Sequence, residues 1–473
     1  MISFASPVHA DTLREALVSA YNTNPTLEGA RATQRATDED VPINRAPGLP
    51  RVDATATHIE FLRQSGNSFT APERNLGVNA QLQVPIYSGG AVRNATNAAQ
   101  ERVSAGQADL RGTESSIFSQ TVAAYMDVLR TEALAQLATN QVEVLQVTFG
   151  STSDRFEIGD LTRTDVAQAR SRLASAQGDL RNSYANLISA RETYIQLVGR
   201  APMDLAAPPP LPGLPETVGM AVVTALENNP DLIAAKERAE AAGYDTEAAG
   251  AGRQPTVGLF ANYDYSNFFG TLGGPVASDF QQRETTANAG VRISIPIFQG
   301  GLPAARQRQA GARETAALEQ VIAQERGVIQ QTRSAYAAWQ ASNAVIESSQ
   351  VAIEAAELSL EGVRAENSIG NRTIIDVLDA EQELLSARAA LVTARRDAYV
   401  AGFTLLAAMG KAEARDLNLD TGGPLYDPQV NYERVRGRIW DFDRDPDPTP
   451  NSTRTVDIQA DDALIGPVLE PDE

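Results

Sequence analysis

The chain is written twice, and a tandem duplication limits its fold more than any other property it has. The segment VPIYSGG at 84–90 recurs as IPIFQGG at 295–301, 211 residues later. The same offset pairs Arg102 with Arg313, Tyr125 with Tyr336, Gly159 with Gly370, Asp165 with Asp376, Leu173 with Leu384 and Gly199 with Gly410. Upstream, Asn24-Pro25 answers to Asn229-Pro230 at a slightly different spacing. Chance similarity does not hold register over such a length. The two halves, 11–201 and 216–415, must build the same unit twice.

Within each half the order of parts is the same. A short amphipathic helical segment (11–46, then 216–250) leads into two strand-like runs, a very long helical stretch and a second helix. The long helices are expected at 88–150 and 300–362, the second ones at 160–199 and 372–410. About 60 residues of helix span roughly 90 Å, too long for a globule and suited to the wall of a tube. These stretches are rich in Ala, Gln, Glu, Arg, Leu and Val, and aromatic residues make up only 6% of the chain. That mixture packs helices through small side chains rather than round a thick core. Residues 202–215, with PPPLP at 208–212, read as an extended linker. From Asp420 onward thirteen acidic residues face five arginines, so 416–473 reads as an acidic tail without fixed structure. Met1–Ala10, ending Val8-His9-Ala10, reads as the remnant of a signal peptide.

Four runs have period two: 51–61, 76–86, 256–265 and 286–297. In the second, Leu76, Val78, Ala80, Leu82, Val84 and Ile86 alternate with Gly77, Asn79, Gln81 and Gln83. Segments of about ten such residues suit a membrane barrel, although a half-buried strand in a soluble sheet has the same pattern. Tyr and Phe at the run ends (Phe61, Tyr87, Tyr263, Tyr265, Phe298) and the longer polar loops between paired runs favour the barrel. The first run is the weakest, because His58 and Glu60 interrupt its apolar side. Pro85 and Pro296, followed by Gly89-Gly90 and Gly300-Gly301, mark the strand-to-helix junctions, with the prolines placed to end ladder pairing. No run of 18 apolar residues exists, so any crossing of a bilayer must be made by strands. Four strands cannot close a barrel, and an open edge in lipid leaves backbone groups unsatisfied. Such a chain must oligomerise: two copies give eight strands, three give twelve.

Chemistry is sparse. There is no cysteine, and the two histidines are His9 and His58. A Ser–His or Cys–His mechanism has almost no candidates and a His-based metal cluster cannot form. The net charge of −20 argues against a nucleic-acid surface. No GxxxxGK[ST] phosphate loop occurs, so energy must come from elsewhere. No catalytic residue, cofactor or metal is expected.

The repeated strand–Pro–GG–helix unit, FEIGDLTRTDVAQAR at 156–170 and above all NSIGNRTIIDVLDAEQELLSAR at 367–388 resemble the TolC family of outer-membrane channel proteins. The resemblance covers residues 11–415. It implies a mostly α fold with a membrane β part: a homotrimer sharing a twelve-stranded barrel in outer-membrane lipid, continued by a helical tunnel in the periplasm. It further implies a passive duct working with a periplasmic adaptor and an inner-membrane ABC exporter or proton-driven pump. Type I protein secretion is favoured, with multidrug efflux open. Carried over by motif, Asp376 and Asp379 form the gate ring, and Arg372 is a latch partnered by Thr164 and Asp165. Asn367 stands where the family often has a tyrosine. The residues themselves agree in part: Asp376 and Asp379 share a helix face, and several copies would crowd their carboxylates round one opening. The first half carries Leu161 and Gln168 where the second has Arg372 and Asp379, so the second half is the specialised one. Two blander readings compete, in which these are ordinary solvated carboxylates, or the whole chain is a soluble periplasmic scaffold or tether without a pore.

Overall fold

A computed structural model describes residues 11–63, 72–419 and 421–460. The signal-like segment at 1–10, part of the first external loop and the last thirteen residues lie outside the described residues. The expected opening helix of each half is several. In the first they are α1 (Leu13–Thr23), α2 (Pro25–Asp38) and α3 (Asp40–Arg45). Strands β1 (Arg51–Glu60) and β2 (Arg74–Tyr87) follow, then α4 (Ala91–Glu157) and α5 (Arg163–Val198). The second half runs α6 (Val218–Asn228), α7 (Pro230–Gly250), β3 (Thr256–Asn267), β4 (Arg283–Ser294), α8 (Leu302–Ser368) and α9 (Ile374–Ala408). A last helix, α10, spans Pro428–Val435.

The repeated Asn-Pro explains itself. Asn24 and Asn229 cap α2 and α7, each side chain accepting from two backbone N–H groups, while Pro25 and Pro230 occupy the first helical turn. Neither position wastes a donor there. Each Asn amide then donates to the end of the same half's shorter helix, Asn24 to Leu197 O and Asn229 to Ala408 O, both at 3.0 Å. Tyr125 and Tyr336 likewise hold the chain between elements, donating to Ala206 O at 2.6 Å and Glu216 O at 2.9 Å. Tyr125 sits in the main apolar cluster, where Leu17, Leu27, Phe118, Val122, Tyr194 and Phe403 are buried, and Tyr336 in a second one with Leu232, Val328 and Leu405. Through these clusters pass α4 and α8, 67 residues each, about 100 Å of helix. This is somewhat longer than expected.

Among the described residues four strands form one antiparallel sheet in the order β1-β2-β3-β4. The register separates two faces. Asp53, Gln81, Asn262 and Asn288 align on one, and Val52, Leu82, Ala261 and Ala289 on the other. The apolar face is bare: Val52 is 71% exposed and Ile293 62%. His58 and Glu60 do not weaken β1, because they fall at its loop end. There Glu60 pairs with Arg74 at 3.0 Å and His58 lies edge-on to Phe269. Pro85 does not stop the ladder; β2 carries on to Tyr87 through an irregularity between these two residues. A bulge lets a residue without an N–H sit in a paired strand. Pro296 does lie outside its strand, since β4 ends at Ser294, short of the expected 297.

The tail also departs from expectation. Residues 421–460 pack back on the first half. Val435 of α10 is fully buried, Asn431 donates to Asp38 at 2.6 Å, and the Tyr426 N–H donates to the Tyr21 hydroxyl at 2.8 Å. Part of its acidity is answered locally, with Arg434 on Asp445 at 2.7 Å and Arg438 on Asp443 at 3.2 Å. Composition counts the charges but cannot see that they are paired.

Candidate functional site

The end of the helical body far from the sheet is made by two turns, one in each half. Helices α4 and α8 stop in the same way. Gly159 (φ 84°) and Gly370 (φ 82°) turn left-handed, where a Cβ would strain the backbone. The following N–H groups reach back, Asp160 to Arg155 O at 2.9 Å and Asn371 to Glu366 O at 3.0 Å. This closes the helix end with a six-to-one bond. Helices α5 and α9 then start in the same way. Asp165 accepts from Thr162 N at 2.9 Å and Thr162 Oγ1 at 2.7 Å. Asp376 accepts from Thr373 N at 2.9 Å and Thr373 Oγ1 at 2.8 Å. Both are capping boxes with aspartate in the third position. The hydrogen bonds from Thr373 hold the Asp376 carboxyl below the usual range, with Arg372 adding to the same effect.

The predicted residues thus fall at the tips and divide by role. Asp376 and Asp165 are first of all helix caps. Arg372 pairs with Glu366 at 2.8 Å and reaches Asp376 at 3.9 Å. Within one chain it is not brought to Thr164, which is exposed on the other turn, nor to Asp165. Asn367 donates to Arg372 O at 2.9 Å, so the small amide braces the turn from inside. Asp379 has left its partner on the shared face and meets Arg172 of α5 at 2.6 Å. That contact joins the two halves of the duplication, and sequence reasoning missed it. The signal available was the first half's Arg172 standing opposite Glu383 under the 211-residue offset, a sign that charge is distributed unequally between the halves.

Behind the tips α9 packs both ways. Val377, Ala380 and Leu384 lie against Ala356 and Leu360 of α8, while Leu378 joins Leu145 and Leu173 of the first half. Glu381 is buried beside this seam, paired with Arg364 at 2.9 Å, and its second oxygen has no hydrogen-bond partner among the described residues. Higher up, Arg396 of α9 reaches across to Asp127 of α4 with two nitrogens, at 3.1 and 2.9 Å. Guanidinium and carboxylate meet there as a fork, the geometry in which Arg discriminates best. The strand-to-helix junctions are the other predicted site. Gly89, Gly90, Gly300 and Gly301 all have positive φ, and Gly90 and Gly301 are the caps of α4 and α8. Between α4 and α7, Glu101, Glu237 and Glu240 bring three carboxylates together. Burial first, then the neighbouring Glu237, pushes Glu101 up to about 7. Three carboxylates without a second kind of ligand carry no metal assignment.

A family model described as outer membrane efflux protein matches residues 16–200 and 221–411, one stretch in each half. Outer membrane efflux protein BepC of Brucella suis biovar 1 (strain 1330) is 33% identical over 439 residues, covering 93% of both chains. Outer membrane protein TolC of Escherichia coli (strain K12) is 27% identical, over 88% of this chain and 85% of that protein. The crystal structure of the Campylobacter jejuni CmeC outer membrane channel superposes with a TM-score of 0.75 at 16% identity, over 92% of this chain and 94% of that one. At that identity the likeness speaks for the fold alone.

Proposed function

Because the chain belongs to the outer membrane efflux protein family, we propose that it is one protomer of a passive export duct whose barrel closes when three copies meet. Its place is the outer membrane, with the helical part in the periplasm, and its work is transport rather than catalysis. The observation that carries the proposal is the open sheet. Among the described residues, strands β1 and β4 each leave an unpaired edge, and the apolar face between them is bare. Lipid tolerates neither an unpaired edge nor a polar exterior, so the edges must be met by sister subunits. Eight strands enclose a space that side chains fill, whereas twelve leave a lumen. The inward face here carries Gln83, Phe260, Asn262 and Arg292, bulky enough to plug the smaller barrel.

Substrates enter from a periplasmic adaptor and an inner-membrane transporter, which supply the energy. The 33% identity to a protein named for efflux supports an efflux role. The TolC-like motif at 367–388 keeps protein secretion as the second reading. At the periplasmic end, Asp376 and Asp379 form a ring of carboxylates in the assembled duct. The Arg172–Asp379 contact holds the two halves of each protomer in the closed arrangement. Arg372 projects from the tip, about half exposed, and in the assembled duct it latches on Thr164 and Asp165 of a neighbouring copy.

The test is purification in detergent followed by planar-bilayer recording. A heat-modifiable oligomer with discrete channel openings is expected. A detergent-free soluble monomer without openings would end the proposal in favour of a scaffold.

A further inference from the structure

The inward face of the sheet carries one arginine that no acceptor among the described residues answers. Down that face several polar groups pair with one another. Asn79 donates to Asp264 at 2.7 Å, Asn262 donates to Asn288 at 3.0 Å, and Arg51 meets Asp53 at 2.7 Å. Arg292 is different. It makes no ion pair and no side-chain hydrogen bond among the described residues; its contact is the Phe260 ring, with the guanidinium carbon 5.0 Å from the ring centre. Phe260 is itself unusual, an aromatic beside Asn262 and Asp264 on the polar side of β3 and opposite Gln83 of β2. Its cross-strand partner is Gly290, and a Cβ there would stand 3.0 Å from the ring. The glycine therefore opens the floor on which the ring lies, and the ring carries the guanidinium. The pair sits near the end of the sheet where β4 leads into α8, which is the passage from barrel to tunnel.

We propose that Arg292, seated on Phe260, forms with its copies an anion-binding belt at the mouth of the barrel. Stacking fixes the guanidinium without consuming its N–H donors, because a ring face attracts the charge and offers no acceptor. The donors stay free for a solute carrying a carboxylate, phosphate or sulfate group, or for chloride at its simplest. Rings of like charge in a lumen set which ions pass. In a chain of net charge −20, such a belt supplies positive potential where the rest of the duct disfavours anions. Asp376 and Asp379 at the opposite end act on cations, so the belt would give the duct a second filter of opposite sign.

The inference rests on the polar face lining the lumen, and reversal potentials in a potassium chloride gradient test it on the full-length protein in planar bilayers. Arg292→Glu is expected to lower the chloride-to-potassium permeability ratio by about fivefold or more, the order set by one close charge contact in water. Arg292→Lys should keep most of the ratio, and Phe260→Ala should lower it less than Arg292→Glu does. Open channels with an unchanged ratio in Arg292→Glu would overturn the belt while leaving the duct standing. Absence of any channel activity in the unmodified protein would overturn both.

Discussion

Arg172 of α5 and Asp379 of α9 meet at 2.6 Å, although 207 residues separate them in the chain. They join the shorter helix of one half to the shorter helix of the other, Arg172 in the third turn of α5 and Asp379 in the second turn of α9. Arg372, the residue singled out by its motif, instead pairs with Glu366 six positions away. A local pair braces a turn; only the distant one can hold two helices together.

The first prediction follows from that difference. Arg172→Ser is expected to raise single-channel conductance more than Arg372→Ser does. Exchanging the charges, Arg172→Asp with Asp379→Arg, should return conductance toward the original level. Both side chains are about half exposed, so the contribution to stability is only about 0.2–1 kcal/mol and the thermal midpoint should hardly move. Equal conductance in all variants counts against the contact as a latch.

Removing both ring carboxylates separates gating from capping. Asp376→Ala with Asp379→Ala also breaks the Arg172 contact, so conductance should rise as it does in Arg172→Ser, while the concentration of a trivalent cation needed for half block rises by about tenfold. Because Asp376 caps α9 through Thr373, the Asp376→Asn variant is the better control for the start of the helix. The folded protein holds the Asp376 proton less tightly than an unfolded chain does. Its capping contribution is therefore complete above the ordinary carboxylate range and is lost as pH falls through the lowered value. Cation block measured from pH 7 down to pH 3 should weaken accordingly. Block that stays the same in the double variant removes the ring assignment.

Between α4 and α7 the sign is reversed. Glu101 is raised from 4.5 to about 7 by burial and by Glu237, so the folded protein binds this proton more tightly than the unfolded chain. Stability from this site is present below about 4.5 and declines as pH rises to about 7. Thermal midpoints taken between pH 5 and pH 8 should fall more steeply for the native protein than for Glu101→Gln. Parallel curves would show that the carboxylates do not share a proton.

The tail supplies a prediction about stability. Val435 is fully buried and α10 lies on α2, so Val435→Ala should cost about 1–2 kcal/mol for the two carbons removed from the contact. Removing everything after 419 should expose Val41 and Val103 together and make the first half more susceptible to proteolysis. A truncated protein with an unaltered melting temperature and digestion pattern would mean that the segment merely rests on the surface.

Much of this was legible in the sequence because it is local. Alternation over ten residues places Leu76 to Ile86 on a strand. The Asn-Pro pairs announce helix starts, and the IGN and IGD turns announce helix ends. Each of these signals is decided within a few residues, by hydrogen bonds the backbone makes with itself or with a neighbouring side chain. The duplication extended the reading by requiring every local element twice. Other features were decided elsewhere. Asp379 and Asp376 look alike in sequence, three apart on one face, yet one takes an arginine from the other half and the other caps its own helix. Which one does which depends on how far α9 is rotated against α5, and the packing of Leu378 with Leu145 and Leu173 sets that angle. Asn431 finds Asp38 across 393 residues for the same reason. The sequence by itself determined the elements, their order and the open sheet; the tertiary structure alone decided the long-range pairs. Backbone geometry is fixed by neighbours along the chain, whereas the partner of a charge is fixed by how whole helices settle against each other.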